Sequence, residues 1–535
     1  MREVFSQRFL IFALVGFILI GIGFRFYQIA QSDFIFYDEG YYLNDDRREY
    51  VDFIARHFPH SLKDWVRAIY GDLQISLGSG KPLWLFLTNL RVFIGQKESW
   101  FFPRILSAIA GCLTLLMIYI FARRYYNSAK IAVASVVLLA ILPSHVFYSR
   151  LALQEALSTL FFLIGIYFYV FPRTLHPRTF LSAAFLMLAY FTNYRLIVLP
   201  ALIAFCELYT SFSLKERPDF RKYFWHTLTF GTLIILVACI DKGQHITVIL
   251  PWMMSQTTRA QQDPFHWYNF LSYPYFTFRL ESILFGILFW GNIYNIIRKK
   301  WNVLFPFFLV CVQMLIFSLP EEKGARYICV VLPFIVMAAG ALAVKLFEER
   351  QDQVSRIFLS GFVVLTIGTL LVKSLGIVRF KSDYRRATEY IMRDNQYVKM
   401  VSSQKWVMNL YTPAVEQVRE LPHSLYYLLS FYGHGFKYLV IDPQAYVSWT
   451  KGGARFYPEL EDYLGYVTQI VKPAKIFPHL NRVMLERFVF EHNENLKRSI
   501  DFLALDKAEM GAIRIYEIEE CLRNILPALK MKTAQ

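Results

Sequence analysis

The stretch "ARRYYNSAKIAVASVVLLAILPSHVFYSRLALQEAL", residues 122–157, decides how the chain is read. It is apolar from Ile131 to Leu142. Its charges stand only at the two ends, Arg123, Arg124 and Lys130 before the apolar run and Arg150 and Glu155 after it. Charge is confined this way in membrane spans, because an ionisable group near the bilayer centre costs several kcal/mol. Outward from here the pattern repeats. The first apolar run covers about Phe9 to Ala30, and others begin near Phe101, Lys130, Leu153, Thr179, Leu196, Trp225, Leu280, Asn302, Tyr327 and Ile357. Each approaches the roughly 20 residues that a bilayer requires, which predicts a polytopic α-helical membrane protein of about 11 spans.

Composition agrees. Of 535 residues 56% are hydrophobic and only 18% charged, against about 25% charged in a soluble chain. The net charge is +16. Its basic clusters lie between apolar runs, where the positive-inside rule accounts for them, and no nucleic-acid-binding signature accompanies them. Five of the six cysteines fall in apolar segments, with only Cys521 in the polar C-terminal region. Neither a disulfide framework nor a thiolate metal site is supported.

Charge also assigns the sides. Alternate loops carry Arg123, Arg124 and Lys130; Arg173 and Arg178; Lys215, Arg217, Arg221 and Lys222; Arg298 to Lys300; and Lys345, Arg350 and Arg356. With Arg2 and Arg8 these mark the cytoplasmic side, so the N-terminus is expected there. The apolar run after Arg8 is longer than a signal-peptide core and bulky residues follow it, so it reads as an uncleaved helix. An odd number of spans places residues 381–535 outside. That tail reads as a small α/β domain, with a helix in "DYRRATEYIMRD" and strands in "VKMVSS", "FKYLVID" and "AIRIYEI". Residues 1–380 form the membrane domain. Its first outer loop, 31–100, holds amphipathic interfacial helices in "DDRREYVDFIARHF" and "LKDWVRAIYGDLQ". The aromatic loop at 241–279 reads as a lid.

Several charges gather on the outer side. They are Arg25, Lys81, Arg104, Arg150, Arg195 and Arg326, with the acids Asp38, Glu39 and Glu155. A single arginine there is as readily a residue snorkelling to the interface. As a set they suit an anionic group whose charge grows during reaction, and phosphate is the natural candidate. Asp38 and Glu39 are adjacent among Phe36, Tyr37, Tyr41 and Tyr42. Mutual repulsion and partial desolvation favour a raised basicity in one of them, as suits a general base. "GSGKPL" is not a nucleotide loop, since Ile75 and Pro82 replace its required Gly and Ser/Thr. His145 and His266 have no partners at ligand spacing, so a metal is not supported.

The loop motif "YDE", then "GKPLW", "PRILSAIAG" and residues 122–157, together with the later "KGARYICVVLPFIVMAAG", resembles the protein O-mannosyltransferase and aminoarabinose transferase group of the GT-C superfamily. The likeness is good over roughly the first 210 residues. It implies an inverting glycosyltransferase, hexosyl or pentosyl, that moves a sugar from a polyprenyl-phosphate carrier to a hydroxyl of a protein, lipid or glycan on the outer face of a plasma or inner membrane. No cofactor is then required. Asp38 matches the family's base and Glu39 the second acid of the pair. Glu155, with Tyr42, falls on the acceptor side. Arg25, Lys81 and Arg104 match basic positions near the lipid phosphate or the acids, and Arg150, Arg195 and Arg326 join them as charge-stabilising groups. Where many relatives carry "TK" this chain has Thr192–Asn193, with Arg195 two residues on. A flippase for lipid-linked sugars is the alternative, although no inverted repeat supports it. A sensor or scaffold would leave the outer charges unexplained.

Overall fold

The computed structural model describes residues 2–30, 39–40, 43, 61–77, 81–93, 101–171, 175–214, 220–240, 243, 247, 270–319, 324–350, 352–380, 382–422, 424–441, 467–478 and 512–533. Two compact units divide the chain. The first comprises Met1–Ala30, Glu49–Val378 and Glu494–Leu496; the second comprises Gln31–Arg48, Arg379–Asn493 and Lys497–Gln535. Glu39 and Gly40 therefore belong with the C-terminal unit, whereas the sequence reading keeps all of 31–100 with the membrane domain.

The first unit is helical. Its main helices are α1 (Arg2–Phe26), α2 (Leu62–Leu77), α3 (Pro82–Phe93), α4 (Phe101–Tyr126), α5 (Ala129–Ala140), α6 (Pro143–Tyr148), α7 (Glu155–Val170) and α8 (Leu175–Thr192). They continue with α9 (Leu199–Leu214), α10 (Phe220–Ile240), α11 (Ile283–Trp290), α12 (Phe305–Ser318), α13 (Leu332–Glu349) and α14 (Gln353–Val378). Among the described residues six helices are long and apolar enough to cross a membrane: Gln7–Phe26, Phe101–Tyr126, Tyr194–Ser213, Phe220–Ile240, Ala325–Glu349 and Gln353–Val378. Shorter apolar helices at Ala129–Ala140, Glu155–Val170, Arg178–Thr192, Ile283–Ile297 and Phe305–Ser318 fall where the remaining segments were expected. The interfacial helix expected over "LKDWVRAIYGDLQ" is α2, which exposes Val66, Ile69 and Tyr70. Its expected companion at 45–58, Asp38, Tyr42 and most of the 241–279 loop lie outside the described residues.

The run from Lys130 does not continue as one helix. Pro143 disfavours helical geometry in Leu142, which is extended (φ −69°, ψ 116°), and the chain restarts as α6. A break in apolar surroundings frees carbonyls that must find donors. Arg25 supplies two, from NH1 to the Ala140 carbonyl at 3.2 Å and from NH2 to that of Leu139 at 3.3 Å. Ser374 donates to the Ile141 carbonyl at 2.8 Å. Helix α4 comes close enough that a side chain at Gly111 would meet Ser149. At the far end of α7, Arg124 donates to Tyr167 at 2.9 Å and lies over the Phe171 ring.

The second unit carries a five-stranded sheet in the order β2-β1-β3-β5-β4. The strands are β1 (Lys399–Ser402), β2 (Val418–Glu420), β3 (Phe436–Ile441), β4 (Lys475–Pro478) and β5 (Ala512–Glu517). β1 pairs in parallel with β2 and β3, while β5 runs antiparallel to β3 and β4. Helices α15 (Tyr384–Ile391), α16 (Lys405–Asn409), α17 (Leu425–Gly433) and α18 (Ile518–Thr533) accompany it. Gly435, at φ +84°, takes the left-handed turn that sends the chain from α17 into β3. Sequence patterning found the helix at 384 and strands β1, β3 and β5. It missed β2 and β4, which lie at the two edges of the sheet among the described residues.

Cys521 sits in α18, fully buried against Val401, Leu428, Leu439 and Ile525. Burial, with the Glu520 charge in support, pushes its thiol up to about 12. Thiolate is the reactive form. In the native protein at pH 8, Cys521 is therefore expected to resist a maleimide that labels it fully in denaturant. Peptide mass spectrometry reads the difference, and rapid native labelling would contradict this packing.

Candidate active site

The arginines expected on the outer side separate by partner. Arg25, 0% exposed, also donates to Gly21 at 2.7 Å, and its NH2 lies 2.5 Å from Nδ1 of His145. Arginine has no acceptor to offer, so the imidazole accepts at Nδ1 and keeps its proton on Nε2. Arg150 donates to the carbonyls of Phe24 (2.6 Å), Arg25 (3.4 Å) and Tyr27 (3.0 Å), and Arg104 to that of Ile29 (3.4 Å). Carbonyls in the last turn of a helix lack partners within it. These three arginines thus cap the end of α1 and the break after α5. That is a structural use for groups expected at a lipid phosphate.

The other group is different. Arg195 pairs with Glu155 and lies over the ring of Tyr327, 132 residues away in sequence, which the neighbouring Arg326 also approaches. Glu155 opens α7, where the positive end of the helix dipole favours a carboxylate. It is 1% exposed. Gln154 donates to its Oε1 at 3.1 Å, and Arg195 NH1 approaches the same oxygen at 3.8 Å, an ion pair without a hydrogen bond. Among the described residues, Glu155 Oε2 and Arg195 NH1 are buried without a hydrogen-bond partner.

Two tight turns aim the cations. Asn193 caps the 3₁₀ turn Tyr194–Val198 by accepting from the Arg195 amide at 3.2 Å. A second 3₁₀ turn, Ala325–Val331, precedes Pro333 and carries Arg326 and Tyr327. Gln313 holds that turn by donating to the Tyr327 carbonyl at 3.3 Å. The Arg195 guanidinium lies 4.3 Å from the Tyr327 ring centre and that of Arg326 lies 5.9 Å from it. Each such contact contributes about 0.5–2 kcal/mol and orients the planar group. Two guanidinium groups thus meet one ring, and one of them is paired with a carboxylate; cations held in this way can stabilise charge developing on an anion.

Of the other expected residues, Lys81 is half-buried immediately before α3, and Glu39 is buried in the second unit. No group of three or more His, Cys, Asp or Glu converges among the described residues. Sequence reasoning passed over Gln154 and Tyr327, ordinary residues that matter through position. It also missed Glu207, which is buried, accepts from Tyr169 at 3.0 Å and pairs with Lys222 at 3.6 Å. An acid inside the apolar run of α9 was the available signal. Its partner Tyr169 lies fourteen residues beyond Glu155 on α7, roughly 21 Å along the axis, so this pair is a separate interhelical tie.

This helical architecture is similar to those of solved membrane-protein structures. Residues 15–192 match the family model for dolichyl-phosphate-mannose-protein mannosyltransferase. No curated protein matches the chain. Among solved structures, ArnT from Cupriavidus metallidurans bound to undecaprenyl phosphate is 13% identical, with 82% of this chain and 94% of that one covered at a TM-score of 0.50. The apo oligosaccharyltransferase of Archaeoglobus fulgidus is 10% identical, covering 86% and 73% at 0.55. The oligosaccharyltransferase AglB of the same organism, in complex with an inhibitory peptide and a dolichol-phosphate, is 12% identical, covering 85% and 72% at 0.55. Family match and fold agree with the resemblance in the sequence: the chain is similar to the protein O-mannosyltransferase and ArnT group.

Proposed function

We propose that this chain is a glycosyltransferase that takes a sugar from a polyprenyl-phosphate carrier and transfers it, with inversion, to a hydroxyl acceptor on the outer face of the membrane. The observation that carries the reading is Arg195, which pairs with the buried Glu155 and shares the Tyr327 ring with Arg326. The fold supports it, since ArnT and AglB were solved with undecaprenyl phosphate and dolichol-phosphate respectively.

An acceptor hydroxyl is a weak nucleophile. Asp38 takes its proton as the oxygen attacks the anomeric carbon, and Glu39 supports that acid. The bond from the anomeric carbon to the phosphate oxygen breaks, and the lipid phosphate leaves with the electron pair. Arg195 and Arg326 offset its growing charge, with Lys81 a further cation for the same phosphate. Glu155 orients Arg195 and the acceptor. The reaction so written consumes no nucleotide and needs no metal. We place the N-terminus in the cytoplasm and residues 381–535 outside, on the distribution of Lys and Arg among the loops.

Detergent-solubilised protein with labelled polyprenyl-phosphate sugars tests this directly, because no transport across a bilayer is then possible. Transfer or release of the sugar supports the enzyme; an intact carrier, with movement seen only in vesicles, favours a flippase. In the same assay Arg195→Ala is expected to lose about 10²-fold in kcat, on the scale of one lost charge-stabilising donor. Arg195→Lys keeps the charge without the planar fork and should recover part of it. Unchanged kcat in Arg195→Ala would remove that residue from the reaction.

A further inference from the structure

We infer that α16 of the C-terminal unit is the seat of the acid-bearing segment, so that this domain positions the carboxylates of the transfer reaction. The inference rests on the proposed function for its catalytic consequence and on packing within the second unit for its geometry.

Gly40 is buried, and Glu39 beside it is 0% exposed. A Cβ added to Gly40 would lie 2.6 Å from the carbonyl carbon of Trp406, 2.7 Å from its oxygen and 2.8 Å from the amide nitrogen of Val407. All three are main-chain atoms of α16. A flexible side chain could swing aside, but backbone cannot do so without moving the helix. Here glycine is required by close approach of two chains.

The seat is well fixed. Helix α16 follows β1, which lies between β2 and β3. In the connecting turn Ser403 donates its amide to the Val440 carbonyl of β3 at 3.1 Å. The Gln404 amide donates to Ser402 Oγ at 3.0 Å, and that hydroxyl donates to Met408 Sδ at 3.1 Å. Val407 and Met408 are fully buried. A shift of α16 would thus disturb the sheet itself. The segment at Glu39–Gly40 is one peptide unit from Asp38. A general base must stand within hydrogen-bond reach of its proton. Misplacement by about 1 Å is enough to lose roughly 10² in rate.

Gly40→Ala and Gly40→Val in the full-length protein test this. Amide hydrogen exchange should rise at least tenfold in peptides covering residues 39–43, more for Val than for Ala, while residues 436–441 and 512–517 keep native protection and so report a folded domain. The kcat should fall about tenfold for Ala and about a hundredfold for Val, with KM for the lipid donor within twofold. Native exchange at 39–43 in Gly40→Val would overturn the seat. Raised exchange with unchanged kcat, where Asp38→Asn abolishes transfer, would overturn its positioning role. If Asp38→Asn instead transfers normally, the assignment of the base fails alone, because exchange at 39–43 still decides whether α16 holds the segment.

Discussion

Transfer by the Asp38→Asn variant falls by about 10²–10⁴-fold, the range that a positioned general base contributes. Asparagine keeps nearly the shape and polarity of the carboxylate but cannot take a proton, so the variant separates chemistry from folding. It should accumulate in membranes at the wild-type level and bind the lipid donor as before. The readout is the ratio of modified acceptor to lipid-linked sugar, by mass spectrometry, in cells whose only copy is the variant. Glu39→Gln should lose less, as expected for a supporting acid. Full transfer in Asp38→Asn together with loss in Glu39→Gln would exchange the two roles. Full transfer in both would place the base elsewhere.

The second large effect is on stability. Arg25→Met removes donors from Gly21, Leu139 and Ala140 and from the His145 ring. A buried acceptor left without a donor costs about 1–3 kcal/mol, whereas interhelical hydrogen bonds in membranes average about 0.6 kcal/mol. The Leu139 carbonyl keeps the Leu142 amide at 3.4 Å, so Ala140 and His145 lose most and the total is about 1–4 kcal/mol. The thermal midpoint in detergent should drop by about 2–6 °C. Arg25→Lys, which keeps a charge with fewer and shorter-reaching donors, should fall between. A role at the lipid phosphate predicts the reverse pattern, with a native midpoint and a raised KM for the donor. An unchanged midpoint in Arg25→Met would refute the capping role.

These two arginine classes show what a sequence can and cannot carry. Apolar period is local, so the helices from Phe9 to Val378 were legible. Partner choice is not local. Arg25 meets Ala140 across 115 residues, and nothing near Arg25 says that its contacts will be carbonyls when those of Arg195 are a carboxylate and a ring. Thr192–Asn193, a departure from the resembling family, became intelligible only with Asn193 capping the turn that presents Arg195. The pairing of Gly40 with Trp406 and Val407 was hidden for the same reason, as was the pair of Glu207 with Lys222. Polarity predicts which face a group prefers, and only the assembled chain decides what it touches there.

The Ser374 hydroxyl donates to the Ile141 carbonyl across 233 residues. Translation at about 5–20 residues per second takes roughly 10–50 s to cross that interval. Through that time the broken segment stands in the nascent protein with this acceptor still waiting for its native donor. Helix α14 is therefore a closing piece as well as the last apolar helix before the C-terminal unit. A nascent chain arrested before Ser374 would hold an incomplete α5–α6 junction, so that junction is finished only after its own two helices have been made.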